Sequence, residues 1–412
     1  MKLAGWTYAA LIMLVLQSCL GGSYEGSSTD ILGAAGEQVP VRVTIGDPSG
    51  GILNSMASRV KGSGPVDNMS QVNGKDVYVY AFNSDMLTSY SQTAENDNIN
   101  TLVDGSLDRS STKAGKKARI HSGSMYLDWV DPTTIPYYHG GTMSHIPYEF
   151  YAYYLDDLQV SESDIVRTDD AVKIRVTIDG RRDLMSSKAE IYDKHLQQCP
   201  EEERPYAREY SFSYYTGIRN ILPTFYFKHN LARLEFELVP GVLEGPKKNV
   251  AVASIKVYSK YKADFVVAEK SHPSQLGLRF EDEYACFQLA ESDGSPIPED
   301  KYVVQTRSSS DAPVDATQVG GCLLVAPQDE PLEALVRLVE RDVDGNFVAD
   351  VENSVLISYD YNGNSNMFAA GNKYKVKFQI FGATIVSPSV SIGKWNDGGK
   401  LDIDTENDKP NI

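Results

Sequence analysis

Residues 39–45 read Val-Pro-Val-Arg-Val-Thr-Ile, and much of the remaining chain repeats the pattern of this stretch. Its apolar residues occupy every second position, which predicts a β-strand that buries one face; they are Val39, Val41, Val43 and Ile45. Pro40 has no N–H to donate to a neighbouring strand. It therefore predicts either that this strand lies at a sheet edge or that the strand begins here.

Strand-like runs of the same kind recur along the chain, at 75–82, 146–155, 172–178, 225–239, 251–257, 285–290, 321–325, 354–361, 373–380 and 384–392. Asp or Asn followed by Gly, as in Asp344-Gly345 and Asn362-Gly363, separates several of them and supplies the positive φ that tight hairpins need. Many short strands with regular turns predict an all-β protein built of β-sandwiches.

The chain has 412 residues, of which 42% are hydrophobic, and one sandwich rarely needs so many. We expect two tandem domains, an N-terminal β-sandwich over 37–222 and a C-terminal β-sandwich over 223–412. In the run 225–239 the apolar residues change from odd to even positions, and a strand cannot change its buried face without a bend or bulge. We expect that bend near residues 229–231.

The N-terminus has the features of an export signal. A positive start is followed by the short apolar core 9–16, and then by Leu16-Gln17-Ser18-Cys19, which resembles the lipobox of a bacterial lipoprotein. Residues 1–18 would be removed, and the acylated Cys19 would hold the protein on a membrane outside the cytoplasm through the Gly- and Ser-rich tether 19–36. The alternative is an ordinary secretory signal in which the cysteine is coincidental.

Composition argues against several classes of function. The net charge is −17, whereas nucleic-acid binding needs a basic surface. The sequence contains no motif of a hydrolase, a phosphate-binding loop or a zinc protease, so we expect no enzyme activity, no cofactor and no metal site. An Asp342-to-Asn346 calcium loop is less favoured than a hairpin turn. Cys286 and Cys322 either form a disulfide or are small buried residues.

Two further features are less specific. Short helices are predicted at 186–198 and 331–338. Aromatic residues crowd into 137–154, and we expect alternate members to fill the core while their neighbours line the surface. The other interpretation is an exposed surface that binds sugars or a partner protein.

Taken together, several segments resemble the fimbrillins, the subunits of type V pili, and the related fimbrillin-like lipoproteins. The matching features are the lipobox at Cys19, the strand 39–45 with its Gly/Ser-rich loop, Val77-Tyr78-Val79-Tyr80-Ala81-Phe82, Tyr148-Glu149-Phe150-Tyr151-Ala152-Tyr153-Tyr154, Asp183-Leu184-Met185, the segment 227–236, Phe368-Ala369-Ala370-Gly371-Asn372 and Ile392-Gly393-Lys394-Trp395. Their order along the chain carries the resemblance more than any one of them.

The resemblance implies two transthyretin-like β-sandwich domains, export as a surface lipoprotein, and maturation by an Arg-specific protease. Cleavage would remove the lipid anchor together with the first strand. The vacated groove would then accept a C-terminal strand from another subunit. The implied partners are other pilus subunits, the outer membrane through the lipid, and a host or bacterial surface ligand.

Two arginines are candidates for the cleavage site. Arg42 lies inside the predicted strand, where pairing would protect its backbone, whereas Arg59 lies in a Gly- and Ser-rich loop that a protease can reach. We therefore favour Arg59. A solvated arginine without such a role is the alternative.

The donor strand also has two candidates. The better one is the run 384–392, with Val386, Val390 and Ile392; the alternative is that this run is simply the last strand of its own domain. The other is the segment with Leu401 and Ile403, which has only two apolar residues and an acidic tail. A shaft, tip or anchor role stays open, as does a stationary surface lipoprotein that binds glycans.

Overall fold

The computed structural model describes residues 38–46, 65–67, 69–84, 100–108, 113–121, 126–168, 170–197, 199–270, 276–359 and 368–395. The strands within these residues are β1 Val43–Ile45, β2 Asp76–Asn83, β3 Thr101–Val103, β4 Lys116–Ile120, β5 Tyr126–Trp129, β6 Tyr148–Tyr154, β7 Ile165–Arg167, β8 Ala171–Thr177, β9 Met185–Lys188, β10 Thr224–Phe225, β11 Lys228–His229, β12 Ala232–Pro240, β13 Asn249–Lys260, β14 Lys262–Glu269, β15 Gly277–Phe280, β16 Tyr284–Gln288, β17 Val303–Gln305, β18 Thr317–Val325, β19 Leu332–Arg341, β20 Phe347–Ile357, β21 Asn372–Gly382 and β22 Ile385–Lys394. The all-β prediction is confirmed.

Helices are short. The α-helices among the described residues are Arg204–Glu209 and Tyr214–Gly217, and the 3₁₀ helices are Met69–Val72, Gly105–Asp108, Gly141–Met143, Glu162–Asp164, Asp193–Leu196 and Glu201–Glu203. None of the described helices is long and apolar enough to cross a membrane. The predicted helix at 331–338 is wrong. Leu332, Ala334 and Val336 alternate with more exposed residues in β19, a period of two that belongs to a strand. The predicted helix at 186–198 contains the end of β9 and a single 3₁₀ turn.

The N-terminal half of the chain is organised by a sheet of nine described strands, in the order β10-β1-β5-β4-β2-β6-β9-β11, with β3 added on β2. β10 and β11 stand at opposite ends of this order, yet only Tyr226 and Phe227 separate them in the sequence. Because β10 pairs with β1 and β11 pairs with β9, the segment 224–229 bridges both ends of the sheet. The sheet is therefore curled, and it encloses a core of its own.

Both faces of the central strands are buried. Phe150 and Tyr154 of β6 lie in the enclosed core, whereas Tyr151 and Tyr153 face outward. They pack on a second sheet, β15-β14-β8-β7, where the rings of Tyr153 and Phe265 lie 6.3 Å apart. The expectation that neighbouring aromatics line the surface holds for Tyr137, which is 39% exposed beside the buried Tyr138. It is wrong for β6, because a second sheet covers that face.

The second sheet combines the two halves of the chain. β7 and β8 precede residue 222, whereas β14 and β15 follow it, and β8 pairs antiparallel with β14. β13 and β14 are separated only by Tyr261, so one extended segment passes from the C-terminal sandwich into the N-terminal one. The expected boundary between 222 and 223 thus does not separate two self-contained domains. Strand pairing over this sequence distance leaves no local signal.

The C-terminal sandwich packs the sheet β18-β12-β21-β22 against β16-β13-β19-β20, with β17 added on β13. The bend expected near 229–231 is confirmed, because β11 ends at His229 and β12 begins at Ala232. Its cause is a change of core. Phe225 and Phe227 belong to the enclosed N-terminal core, whereas the apolar residues of β12 face the C-terminal sandwich.

Candidate functional site

The predicted strand 39–45 is paired along one side over most of its length. β1 runs antiparallel to β5. Upstream, the N–H of Val41 donates to the carbonyl of Pro136 over 2.8 Å, and the indole N–H of Trp129 donates to the carbonyl of Val41 over 3.0 Å. These bonds fix the strand against the body of the protein.

The other side of the strand is paired with β10, in parallel. The N–H of Thr44 donates to the carbonyl of Pro223, and the N–H of Gly46 donates to that of Phe225, each over 2.9 Å. The expectation of an edge strand is therefore wrong for 44–46, because a segment about 180 residues away supplies the second neighbour. Pro40 forms only an isolated bridge to Tyr137, and the regular strand begins at Val43, three residues after the predicted start.

The buried face of this strand is the predicted one. Val41, Val43 and Ile45 are only 1%, 0% and 4% exposed, and they belong to the enclosed core. Val39 is partly buried against the same core. Removing the strand would therefore uncover a row of apolar contacts.

Thr44 departs from the predicted pattern, since it points away from that face and is nevertheless buried. Its hydroxyl lies 2.8 Å from the hydroxyl of Thr224 and donates to the carbonyl of Pro223 over 3.2 Å. We call these two partners, Thr224 Oγ1 and Pro223 O, the hydroxyl pocket. Sequence reasoning missed it, because threonine is common on solvated strand faces and its partners lie far along the chain.

Gly46 ends the strand where space is restricted. A Cβ atom added at this position would overlap the ring of Tyr226. Tyr226 lies between β10 and β11, so the segment that bridges the two ends of the sheet also limits what can follow Ile45.

The outer face of the strand is open upstream of Thr44. Arg42 is exposed, and it borders a groove of about 520 Å³ lined by Pro40, Val41, Arg42, Tyr126, Leu127, Asp128, Trp129, Pro132 and Ile135. β5 and β10 flank this strand on both sides only near Thr44, and the groove leaves the outer surface of the strand uncovered between residues 40 and 42.

Three of the expected donor residues lie in β22, which pairs antiparallel with β21 along its length. Val386 and Val390 are partly buried against the C-terminal core, and Ile392 is 40% exposed. β22 stands at one end of its described sheet, with β21 as its neighbour there. The structure thus places 385–394 as the last strand of its own sheet, and a donor role for it stays a prediction.

Several predicted residues lie outside the described part of the chain. They are Cys19 with its signal and tether, the cleavage candidate Arg59, and the second donor candidates Leu401 and Ile403.

A compact network joins the residues that flank two of these undescribed segments. The carboxylate of Asp183 accepts the N–H of Val66 over 2.9 Å and lies 3.0 Å from Nδ1 of His229. The indole of Trp395 stacks on the His229 ring and donates its N–H to the carbonyl of Val66 over 3.1 Å. We call Val66, Asp183, His229 and Trp395 the clasp. Through the clasp, Val66 near the N-terminal end of the described chain contacts Trp395, which directly follows the last strand.

No group of three metal-ligating side chains is found among the described residues. Asp342 instead caps a hairpin turn, accepting N–H bonds from Asp344 and Asn346. Cys286 and Cys322 are free thiols in separate sheets, so the disulfide alternative is not formed in the structure.

No protein-family model matches the chain, and no curated protein matches it. Solved structures similar to it include a proposed cell adhesion protein from Bacteroides uniformis, with 13% sequence identity and a TM-score of 0.41, over 87% of this chain and 98% of that one. Others are the fimbrial tip protein Mfa3 from Porphyromonas gingivalis, with 11% identity and a TM-score of 0.33 over 86% and 99% of the two chains, and the fimbrial anchor protein Mfa2 from the same organism, with 10% identity and a TM-score of 0.29 over 87% and 97%.

Proposed function

We propose that this chain is the precursor of a structural and adhesive subunit of a type V pilus. It is exported as an outer-membrane lipoprotein through Cys19 and becomes part of a fimbrium after Arg-specific cleavage at Arg59. Its partners are other pilus subunits and a host or bacterial surface ligand, and its role requires no catalysis. The support from the sequence is the ordered set of fimbrillin-like segments between Cys19 and Trp395.

The observation that carries the proposal is how the strand 39–46 is attached. Its hydrogen-bond partners at Pro223 and Thr224 lie about 180 positions away, whereas its covalent link to the body runs through residues 47–64. A cut at Arg59 would leave the strand held only by non-covalent contacts. It could then be replaced by a strand of another subunit.

The energetics favour refilling the vacated place. Burying Val41, Val43 and Ile45 is worth about 1.5–3 kcal/mol each, or about 5–9 kcal/mol together. Loss of the strand would also leave unpaired backbone groups on both β5 and β10, and such edges bind an added strand. The vacated place therefore supplies a strong drive for assembly.

An arginine-specific protease applied to the purified mature chain tests this proposal. We expect a single new N-terminus directly after Arg59, followed by multimers that appear as a ladder on gels. Arg59→Gln is the matched variant, because it leaves Arg42 in place and should stay uncut. An unchanged N-terminus in the parent chain, or a trimmed chain that stays monomeric, would contradict the proposal.

A stationary lipoprotein that binds glycans is the second candidate, and the open groove beside Arg42 favours it. Tyr126 is 45% exposed there, and exposed aromatic rings can stack on sugars. Affinity electrophoresis in polysaccharide gels should then show retardation that Tyr126→Ala abolishes. Retardation without any multimer after cleavage would favour this candidate over the pilus subunit.

A further inference from the structure

We propose that the place occupied by β1 selects an incoming strand that carries a hydroxyl residue between two branched apolar residues, followed by glycine. The geometry points to residues 390–393 of a second copy of this chain as the occupant. This inference rests on the proposed strand exchange and specifies its partner.

The sequence contains the required pattern twice. β1 and its next residue read Val43-Thr44-Ile45-Gly46, and the end of β22 reads Val390-Ser391-Ile392-Gly393. No other segment of the 412 residues has Val, then Ser or Thr, then Ile and Gly. Each position of this pattern meets a separate constraint in the structure.

The hydroxyl pocket requires a hydroxyl side chain at the second position of the pattern, which is residue 44 in β1. The side chain at residue 44 is 5% exposed and contacts Thr224 Oγ1 and Pro223 O. An apolar residue there would lose the two hydroxyl contacts of Thr44, although the backbone N–H would still bond the Pro223 carbonyl. A carboxylate would bring a buried charge against that carbonyl oxygen. Ser391 would supply the required hydroxyl.

The Tyr226 ring requires glycine at the fourth position of the pattern, which is residue 46. Because a Cβ at residue 46 would overlap this ring, only glycine continues the strand there without moving the tyrosine. Gly393 falls at this position when Ser391 is aligned with Thr44. An alignment shifted by two residues would place Ser391 at position 46, so the glycine also sets the register.

The apolar residues at the first and third positions, Val390 and Ile392, would become more buried in the place of β1 than they are in β22. In β22, Ile392 is 40% exposed and Val390 is only partly buried, whereas Ile45 and Val43 are 4% and 0% exposed in β1. β22 pairs with β21 at the end of its described sheet, but a strand in the place of β1 lies between β5 and β10. An incoming 390–393 would exchange one pairing for two and bury more apolar surface. This gain must exceed the loss of the Trp395 stack on His229 in the donor copy.

The competing donor segment meets fewer of these constraints. Leu401-Asp402-Ile403-Asp404 would bring a carboxylate into the hydroxyl pocket and a second one against Tyr226. The residues before 390 fit the place of β1 less well. Pro388 would replace Val41, and it has no N–H to donate to the carbonyl of Pro136. The structure therefore selects an incoming strand mainly by the four residues that align with 43–46.

Fluorescent peptides binding to the mature chain after cleavage at Arg59 test the inference. The peptide 38–46 is the positive control, and 386–394 is the probe, with binding followed by anisotropy. We expect Ser391→Asp to weaken binding at least about 100-fold, through burial of an unpaired charge. Ser391→Ala should weaken it about fivefold, through one lost hydrogen bond.

Ser389→Ala is the matched control, because Ser389 would align with the exposed Arg42, and its affinity should stay within about twofold of the parent peptide. In a Thr224→Ala chain the preference for Ser391 over alanine should shrink, because only the Pro223 carbonyl is left to bond the hydroxyl. If 38–46 binds but Ser391→Asp binds as well as the parent 386–394, selection by the hydroxyl pocket is refuted while strand exchange stands. If 38–46 itself fails to bind, both proposals fall.

Discussion

The indole of Trp395 lies flat on the imidazole of His229, with ring centroids 3.7 Å apart and an angle of 11° between the planes. The two residues come from different parts of the fold, since His229 ends β11 in the curled N-terminal sheet and Trp395 directly follows β22. This stack fastens the last described strand to the N-terminal half. Beneath it, the side chains of His229 and Asp183 are 2% and 0% exposed.

Replacing Trp395 should separate the contribution of the stack from that of its hydrogen bond. We expect Trp395→Ala to lower the free energy of unfolding by about 3–5 kcal/mol, because it leaves a cavity over His229. Trp395→Phe keeps an aromatic ring on His229 but loses the bond to the Val66 carbonyl and part of the ring volume, so its cost should be smaller, about 1–2 kcal/mol. Urea denaturation of the mature chain measures both, and equal losses for the two variants would argue against the stack.

Arg167 and Asp104 form a buried ion pair, 2.9 Å apart, with side chains 4% and 3% exposed. Removing one partner leaves the other charge buried, so Asp104→Asn should destabilise the protein by about 3–5 kcal/mol. Asp344→Asn, in an exposed turn, is the control and should change stability by less than about 0.5 kcal/mol. Thermal unfolding of the two variants tests this, and similar melting temperatures would contradict it.

The described thiols should differ in reactivity. Desolvation, partly offset by the Arg233 charge, raises the pKa of Cys322 to about 12. Below that pH the thiol keeps its proton, so little of the reactive thiolate is present at pH 8. Burial also raises the pKa of Cys286, but its side chain is exposed.

Maleimide labelling of a Cys19→Ser chain at pH 8 should therefore modify Cys286 first and Cys322 only after unfolding. Cys286→Ser should abolish the rapid phase, and mass spectrometry of peptides locates the label. Rapid labelling of Cys322 in the folded chain would show that its thiol is not desolvated.

Gly46 and Tyr226 should behave as a coupled pair. Gly46→Ala forces the Tyr226 ring to move and should cost about 1–3 kcal/mol. The cost should shrink in a Tyr226→Ala background, because the overlapping ring is then absent. A double-mutant cycle by denaturation measures the coupling, and additive effects would show that the ring does not restrict position 46.

Local pattern was sufficient to predict most of the strands. Period-two alternation anticipated β6, β8 and β21 within a few residues, because the alternation records which side chains avoid water. The change of apolar positions between Phe227 and Ala232 likewise anticipated the break between β11 and β12. Where runs of apolar residues were read as helical, as at 331–338, the exposed and buried positions of β19 follow a period of two.

The same pattern does not show which strands pair with each other. A valine that faces a core has the same sequence signature whichever strand covers it, so the pairing of β1 with β10 and of β8 with β14 left no local trace. Contacts between residues far apart in the chain bury Thr44, place the second sheet over Tyr151 and Tyr153, and form the clasp at Trp395. Alternation specifies a buried face, but the assembled sheets determine what it is buried against, because that choice depends on the packing of all the strands together.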